Sequence, residues 1–288
     1  MNNDNMTFEQ RWNSLTITDD FIFGRVFSDR EKCRKLIELL LGIKVRNLEI
    51  PQAQKSIKTS ILSRGVRFDV YAEDEERAFD IEIQTVNRHN WELRTRYYQS
   101  KMDSNLISQG QDFRDLKETY VIFLCCFDPI GFADCRYETV HVLKNHTDYV
   151  VDDKRHILLY NINEYLKSDD KELRDFLEYM ATGRAASDFS REVQDVVKKA
   201  KTDDVLRSGY MTLEMEIKSR CRDAMDAGRR EGLEQGMEQG RNVGIAEGEI
   251  LGAEKTRLEN ARKMKFENLP FDLISRITGL TLEQVQAL

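Results

Sequence analysis

An α/β domain followed by a helical appendage is predicted by three observations. Two adjacent runs, Arg67 to Glu73 and Ala78 to Gln84, alternate apolar and polar residues with the period of a strand. A third run, "TYVIFLCCF" from Thr119, is apolar throughout, as in a strand covered on both faces. Beyond about Tyr160 the pattern becomes helical.

Along the chain, "LTITDDFIFGRVF" spaces Phe21, Phe23 and Phe27 to anchor an amino-terminal segment on a core. "SDREKCRKLIELLLG" then reads as a helix: Ser28 or Asp29 caps it, Leu36, Ile37, Leu40 and Leu41 form its apolar stripe, and Gly42 ends it. Residues 45–50, "VRNLEI", predict a strand stopped by Pro51. The two alternating runs follow as half-buried strands, "WELRTRYYQSKMDSNLIS" suits a helix, and the apolar run from Thr119 supplies the next strand. The order is helix, three strands, helix, strand. A helical stretch ends near Gly183, and a long charged one runs from about Asp188 to Arg230.

Composition narrows the function classes. Hydrophobic content of 40% with 33% charged residues is that of a soluble protein. The longest apolar run, Val121 to Phe127, falls far short of the roughly 20 residues a membrane span needs, and the amino terminus lacks a signal-peptide core. A cytoplasmic location without membrane contact is the expectation. Cys33, Cys125, Cys126, Cys135 and Cys221 have no zinc-ligand spacing and read as reduced thiols. The net charge of -7 supplies no global attraction for nucleic acid, so any such contact rests on local basic residues.

Pairing the two alternating runs around a loop from Asp74 to Arg77 sets Glu73 opposite Ala78, Tyr71 opposite Asp80 and Asp69 opposite Glu82. Opposed carboxylates repel, because directly paired Cβ atoms are only about 4.5 to 5.5 Å apart. A cation between them resolves the conflict, and hard oxygen ligands suit Mg²⁺ or Mn²⁺. The plainer reading is a solvated acidic face, which periodicity alone does not separate from a site.

Asp69 followed by Glu82-Ile83-Gln84 resembles the D-x(n)-E-x-K motif of PD-(D/E)XK nucleases. The blocks "TDDFIFGRVF", "RGVRFDVYAEDEERAFDIEIQ" and "RTRYYQSKMDSNLISQGQDFRDLKETYVIF" resemble the PD-(D/E)XK family transposases, also called recombination-promoting nucleases, over roughly residues 7 to 145. The resemblance implies a restriction-endonuclease-like αβββαβ core and a Mg²⁺- or Mn²⁺-dependent DNA endonuclease. It implies Asp69, Glu82 and the Ile83 carbonyl as metal ligands, with Asp69, Glu82 and Gln84 as the catalytic set. Gln84 departs from the usual lysine: it carries no charge and cannot act as a general base. Arg94 and Lys101, on the following helix, are candidates for the missing charge and for contact with a DNA phosphate; ordinary surface cations are the plainer reading, and Tyr98 between them packs. Glu38 is the candidate for an accessory acid from the first helix, against a merely solvated carboxylate. His89 reads as incidental.

Gly228, Gly232, Gly236, Gly240, Gly244, Gly248 and Gly252 recur every four residues. As one helix they cost roughly 7 kcal/mol relative to alanine, yet the stripe suits close contact with a partner helix wrapping right-handedly. Self-association into a homo-oligomer is one reading and a flexible charged linker the other. The last segment predicts two short helices around Thr278, Gly279 and Leu280, with Thr281 and Gln284 at capping-box spacing; its acidic balance favours protein contact over DNA reading. The predicted organisation is a nuclease-like domain over 1–185, a helical region over 186–262 containing the 228–252 repeat, and a helical pair over 263–288. The rival to a nuclease is a non-catalytic assembly protein acting through this tail, a reading that Gln84 keeps open.

Overall fold

Side-chain caps start the first helices of the computed structural model, which describes residues 6–57 and 66–288. The extreme amino terminus and the Arg64-Gly65 start of one resembling block lie outside the described residues. Thr7 and Gln10 form a reciprocal capping box on α1 (Phe8–Ser14), Asp19 caps α2 (Asp20–Phe27) and Asp29 caps α3 (Arg30–Leu41). Gly42, at φ 67°, closes α3 as its position predicts. Leu36, Ile37 and Leu40 are buried, with Leu41 packed at the margin of the core. Phe23 and Phe27 are fully buried, while Phe21 and Trp12 meet Tyr210. The Trp12 indole also donates to the Lys201 carbonyl at 3.0 Å, so the amino-terminal segment is tied down.

The strand predicted over 45–50 does not form. Glu38 takes the Val45 N–H at 3.0 Å and Asn47 turns the chain at φ 51°, so Val45 and Leu48 enter the core from irregular backbone. Pairing begins instead at β1 (Gln52–Ala53), followed by β2 (Ser56–Ile57) and β3 (Val66–Arg67). The run expected as one strand from Arg67 to Glu73 is interrupted, because the Phe68 N–H bonds to the Lys55 carbonyl at 2.9 Å. It resumes as β4 (Val70–Glu73), paired antiparallel with β5 (Arg77–Gln84). Their register, Tyr71 with Asp80 and Glu73 with Ala78, is the one counted from the sequence.

Next come α4 (Trp91–Leu106), β6 (Glu118–Cys125), β7 (Arg136–Glu138), the paired β8 (Val142–Leu143) and β9 (His146–Val150), and β10 (Arg155–Asn161). The main sheet is mixed and six-stranded, in the order β1-β4-β5-β6-β10-β7, with β5, β6 and β10 mutually parallel. Its β5 was expected to be half-buried and is buried on both faces. Phe79, Ile81 and Ile83 join the larger core with α2 and α3, whereas Asp80, Glu82 and Gln84 share the opposite face with Phe68, Met102, Phe123 and the covering residues of α4. A helix laid over a strand's second face cannot be read from the strand's own period.

After a 3-10 turn over Ile162–Lys167 come α5 (Lys171–Thr182), ended by Gly183 at φ 78°, and α6 (Asp188–Lys201). The long helix expected from Asp188 breaks at Thr202, and Asp203 caps its successor, α7 (Asp204–Phe266). The chain divides into two compact units, Met1–Thr212 and Leu213–Leu288. The first extends past residue 185 because Val193, Val197 and Ala200 of α6 belong to its core. In the second, α7 continues through the glycine ladder and is followed by α8 (Phe271–Thr278) and α9 (Leu282–Ala287). The Thr281–Gln284 capping box is present, and Ala261, Ile274, Leu280 and Val285 form a small core. No helix among the described residues is long and apolar enough to cross a membrane.

One glycine of α2 fixes how closely that helix approaches the sheet. A Cβ at Gly24 would lie 3.2 Å from the Ala53 Cβ and 3.4 Å from the Asp69 carbonyl oxygen. Gly24→Val is therefore expected to destabilise the protein by about 1–3 kcal/mol through overpacking, measured by urea unfolding.

Candidate active site

Asp69 and Glu82 are positioned by each other's strands. The Asp69 N–H donates to Glu82 Oε1 at 2.9 Å, and the Ile83 N–H donates to Asp69 Oδ2 at 3.0 Å. Where β4 stops, these two carboxylates take over the ladder and continue its register. Both are buried, at 8% and 3% exposure. Burial pushes Asp69 up to about 6, and burial together with the Asp69 charge pushes Glu82 up to about 8. Asp80, one step back on the same face, is wholly buried and raised well above the carboxylate range by burial and by Glu82. Neither of its oxygens makes a hydrogen bond among the described residues. The acidic face is thus not a solvated one.

Gln84 and Arg94 complete the cluster. Arg94 Nη1 donates to Gln84 Oε1, Arg94 Nη2 donates to the Tyr98 hydroxyl at 3.1 Å, and the same Nη2 stands 3.9 Å from Glu82 Oε2. The guanidinium lies over the Phe123 ring at 5.1 Å and near the Tyr98 ring at 5.5 Å. Because the Gln84 oxygen is occupied by Arg94, its amide nitrogen is turned toward Glu82 Oε2, at 3.5 Å. Gln84 is therefore a donor toward the carboxylates.

These residues line a cleft of about 1190 Å³ whose walls also carry Asp19, Asp20, Arg67, Arg88 and Arg96. Two other sequence candidates lie elsewhere. Lys101 is buried with its ammonium 5.2 Å from the Tyr97 ring and does not line the cleft. Glu38 pairs with Arg34 at 3.1 Å and Lys44 at 3.5 Å and secures the chain after α3. His89 sits at φ 48° in the loop before α4, its N–H bonded to Asn87 Oδ1 at 2.9 Å.

Sequence reasoning missed the acidic pair at the start of α2. Asp19 caps Phe21 at 3.1 Å and is pushed up to about 6 by burial and by Asp20, while Asp20 pairs with Arg67 at 3.4 Å. Their signals are the doublet at the start of the helix, which also reads as an ordinary cap, and its place in the block "TDDFIFGRVF".

The family model of the PD-(D/E)XK nuclease family transposases matches residues 17–215. The chain belongs to that family. No curated protein and no solved structure matches it. Membership in the PD-(D/E)XK nuclease family transposases implies a restriction-endonuclease-like α/β fold, in keeping with the mixed sheet and its helices, and a nuclease whose substrate class is DNA. PD-(D/E)XK nucleases generally use divalent metals.

Folding raises the proton affinity of Asp69 and Glu82 above their unfolded values of 3.8 and 4.5. The stability they contribute in the metal-free protein is full below those values and is lost as pH rises through about 6 and then about 8. The unfolding midpoint of the metal-free protein is expected to fall over that window, and Glu82→Gln to flatten its upper part. Thermal melts across pH on both proteins, in a chelating buffer, test this.

Proposed function

We propose that this protein is a divalent-cation-dependent DNA endonuclease, linked to recombination or transposition, whose site is formed by Asp69, Glu82, Gln84 and Arg94. The observation that carries this reading is the pair of buried carboxylates, each bonded to the other's strand, on the wall of an arginine-lined cleft. The donor set fits a hard cation. Asp69 and Glu82 offer oxygens, and the carbonyl of Ile83, whose N–H bonds to Asp69, would be a third. Two carboxylates and one carbonyl would leave coordination positions open, as Mg²⁺ or Mn²⁺ needs in order to keep waters and share phosphate oxygens. Bound there, the cation would supply an activated water and neutralise charge on the scissile phosphate.

The remaining steps belong to the protein's own side chains. Arg94, oriented by Gln84, Tyr98 and Phe123, holds a non-bridging phosphate oxygen and provides the fixed positive charge that Gln84 lacks. Gln84 keeps its amide N–H₂ toward the reacting centre and directs Arg94 through its carbonyl. Arg88 and Arg96 extend the phosphate path along the cleft. In this reading α3, β1, β4, β5, α4 and β6 form the αβββαβ core, within a nuclease-like unit that also takes in α5 and α6. Five free cysteines agree with a cytoplasmic location.

The rival, a non-catalytic assembly protein, draws on Gln84. Plasmid nicking with and without Mg²⁺ separates the two readings. Wild type is expected to nick, and Asp69→Ala and Glu82→Ala to do so about 100-fold more slowly or worse while remaining folded. Gln84→Lys alone sets an ammonium against Arg94 and is expected to lose activity, which Gln84→Lys with Arg94→Gln recovers. Cleavage at the wild-type rate by both alanine variants sinks the nuclease reading.

The glycine ladder supplies the proposed homo-oligomer contact. All seven glycines are exposed, and a Cβ at each would meet nothing within 4 Å. An unpartnered helix would gain up to about 1 kcal/mol from each Gly→Ala change, whereas a helix paired along the stripe would be forced from its partner. Gly236→Ala with Gly240→Ala is expected to lower the molar mass measured by light scattering toward that of one chain. An unchanged mass with a more stable helix removes the proposal.

A further inference from the structure

Because β5, β6 and β10 are parallel, their carboxyl ends share one edge of the sheet, the edge that carries Glu82 and Gln84. Ligands of open α/β sheets bind outside such ends. The chain leaving β6 at this edge is clamped. Asp128 accepts from the N–H groups of Ile130 at 3.0 Å, Gly131 at 2.8 Å and Ala133 at 2.7 Å, and from the Tyr137 hydroxyl at 2.9 Å. That hydroxyl accepts the Asp134 N–H at 2.9 Å, and Lys167 donates to the Ala133 carbonyl. Gly131 at φ 103° and Ala133 at φ 56° both take left-handed backbone, a strained choice for alanine.

What this clamp presents is Phe132, 75% exposed, with Ile130 beside it. Holding a large apolar ring in water on a stiff support contributes nothing to folding. The loop starts beside the cleft. Gln84, Arg88, Asn90 and Arg94 line both the cleft and a smaller adjoining hollow, and Pro129, at the base of the clamped loop, closes that hollow. The base of the loop thus shares a wall with the arginines of the cleft, and Phe132 stands three residues beyond it.

We propose that Phe132 is a DNA-contact residue that stacks on an unstacked base beside the phosphate held in the cleft. This rests on the nuclease reading for the identity of the ligand. An aromatic face accepts any base, so the contact is sequence-tolerant, and a ring already fixed loses little freedom on binding.

The test uses full-length protein in a Glu82→Gln background, to hold the substrate uncut, with Mg²⁺ and a short labelled duplex carrying central 2-aminopurine, whose fluorescence rises on unstacking. Phe132→Ala is expected to weaken binding about 5- to 100-fold, the range for loss of one base–aromatic stack, and to abolish the fluorescence rise. Phe132→Trp is expected to keep both. Binding and fluorescence unchanged in Phe132→Ala overturn this inference and leave the nuclease reading standing. A parent protein that binds no duplex overturns both. A lower molar mass for Phe132→Ala with duplex binding unaltered assigns the ring to a protein contact instead, and also overturns it.

Discussion

The site depends on one exchange of hydrogen bonds, in which Asp69 and Glu82 each accept the backbone N–H that the interrupted ladder leaves behind. At Phe68 and Asp69 backbone pairing with Lys55 and Gln54 continues while pairing with β5 stops, and the carboxylates repair the β5 side from the side-chain level. Two acids are thereby held close together in a buried place, where burial raises the proton affinity of both and the Asp69 charge raises that of Glu82 further. The same bonds that satisfy the backbone keep these acids from moving apart. Folding energy from the rest of the sheet, with β5 buried on both faces, is what holds so unfavourable a charge arrangement together.

Around that exchange the second layer is built from groups that leave few alternatives. Arg94 is fixed on three sides, by the Gln84 carbonyl, the Tyr98 hydroxyl and the Phe123 ring. Glutamine at this position is more than a lysine without its charge, because its carbonyl gives the guanidinium a partner that an ammonium could not offer. In the proposed site the positive charge comes instead from the helix facing the strand. Gly24 serves the same end from the other side, letting α2 come close enough to bring Asp19 and Asp20 to the cleft wall.

Asp69, Glu82 and Gln84 were legible because they combine strand alternation with a motif spacing, and the hairpin register followed from loop length alone. The caps Asp29, Gly42 and Thr281 were legible because capping is local chemistry. Burial of the acidic face was not, since α4 covers it from a separate part of the chain. The strand expected over 45–50 failed for a similar reason: Glu38, remote from the segment's own pattern, took the Val45 N–H. The Asp19–Asp20 pair was not legible as part of the site because only tertiary packing brings it to the cleft that Asp69 lines, whereas Arg67 stands two residues before Asp69 in the same alternating run and was passed over. Arg94 and Lys101 looked equivalent on the helix, and packing alone decided that one reaches the cleft.

The arginines of the cleft stand out against a chain of net charge -7. Arg67, Arg88, Arg94 and Arg96 offset Asp19, Asp20, Asp69 and Glu82 there, so the cleft wall is formally neutral where the chain as a whole is negative. In the proposed reading a polyanion is therefore repelled least at this wall, and a cation held by the carboxylate pair would supply the net attraction that the chain's own charge does not.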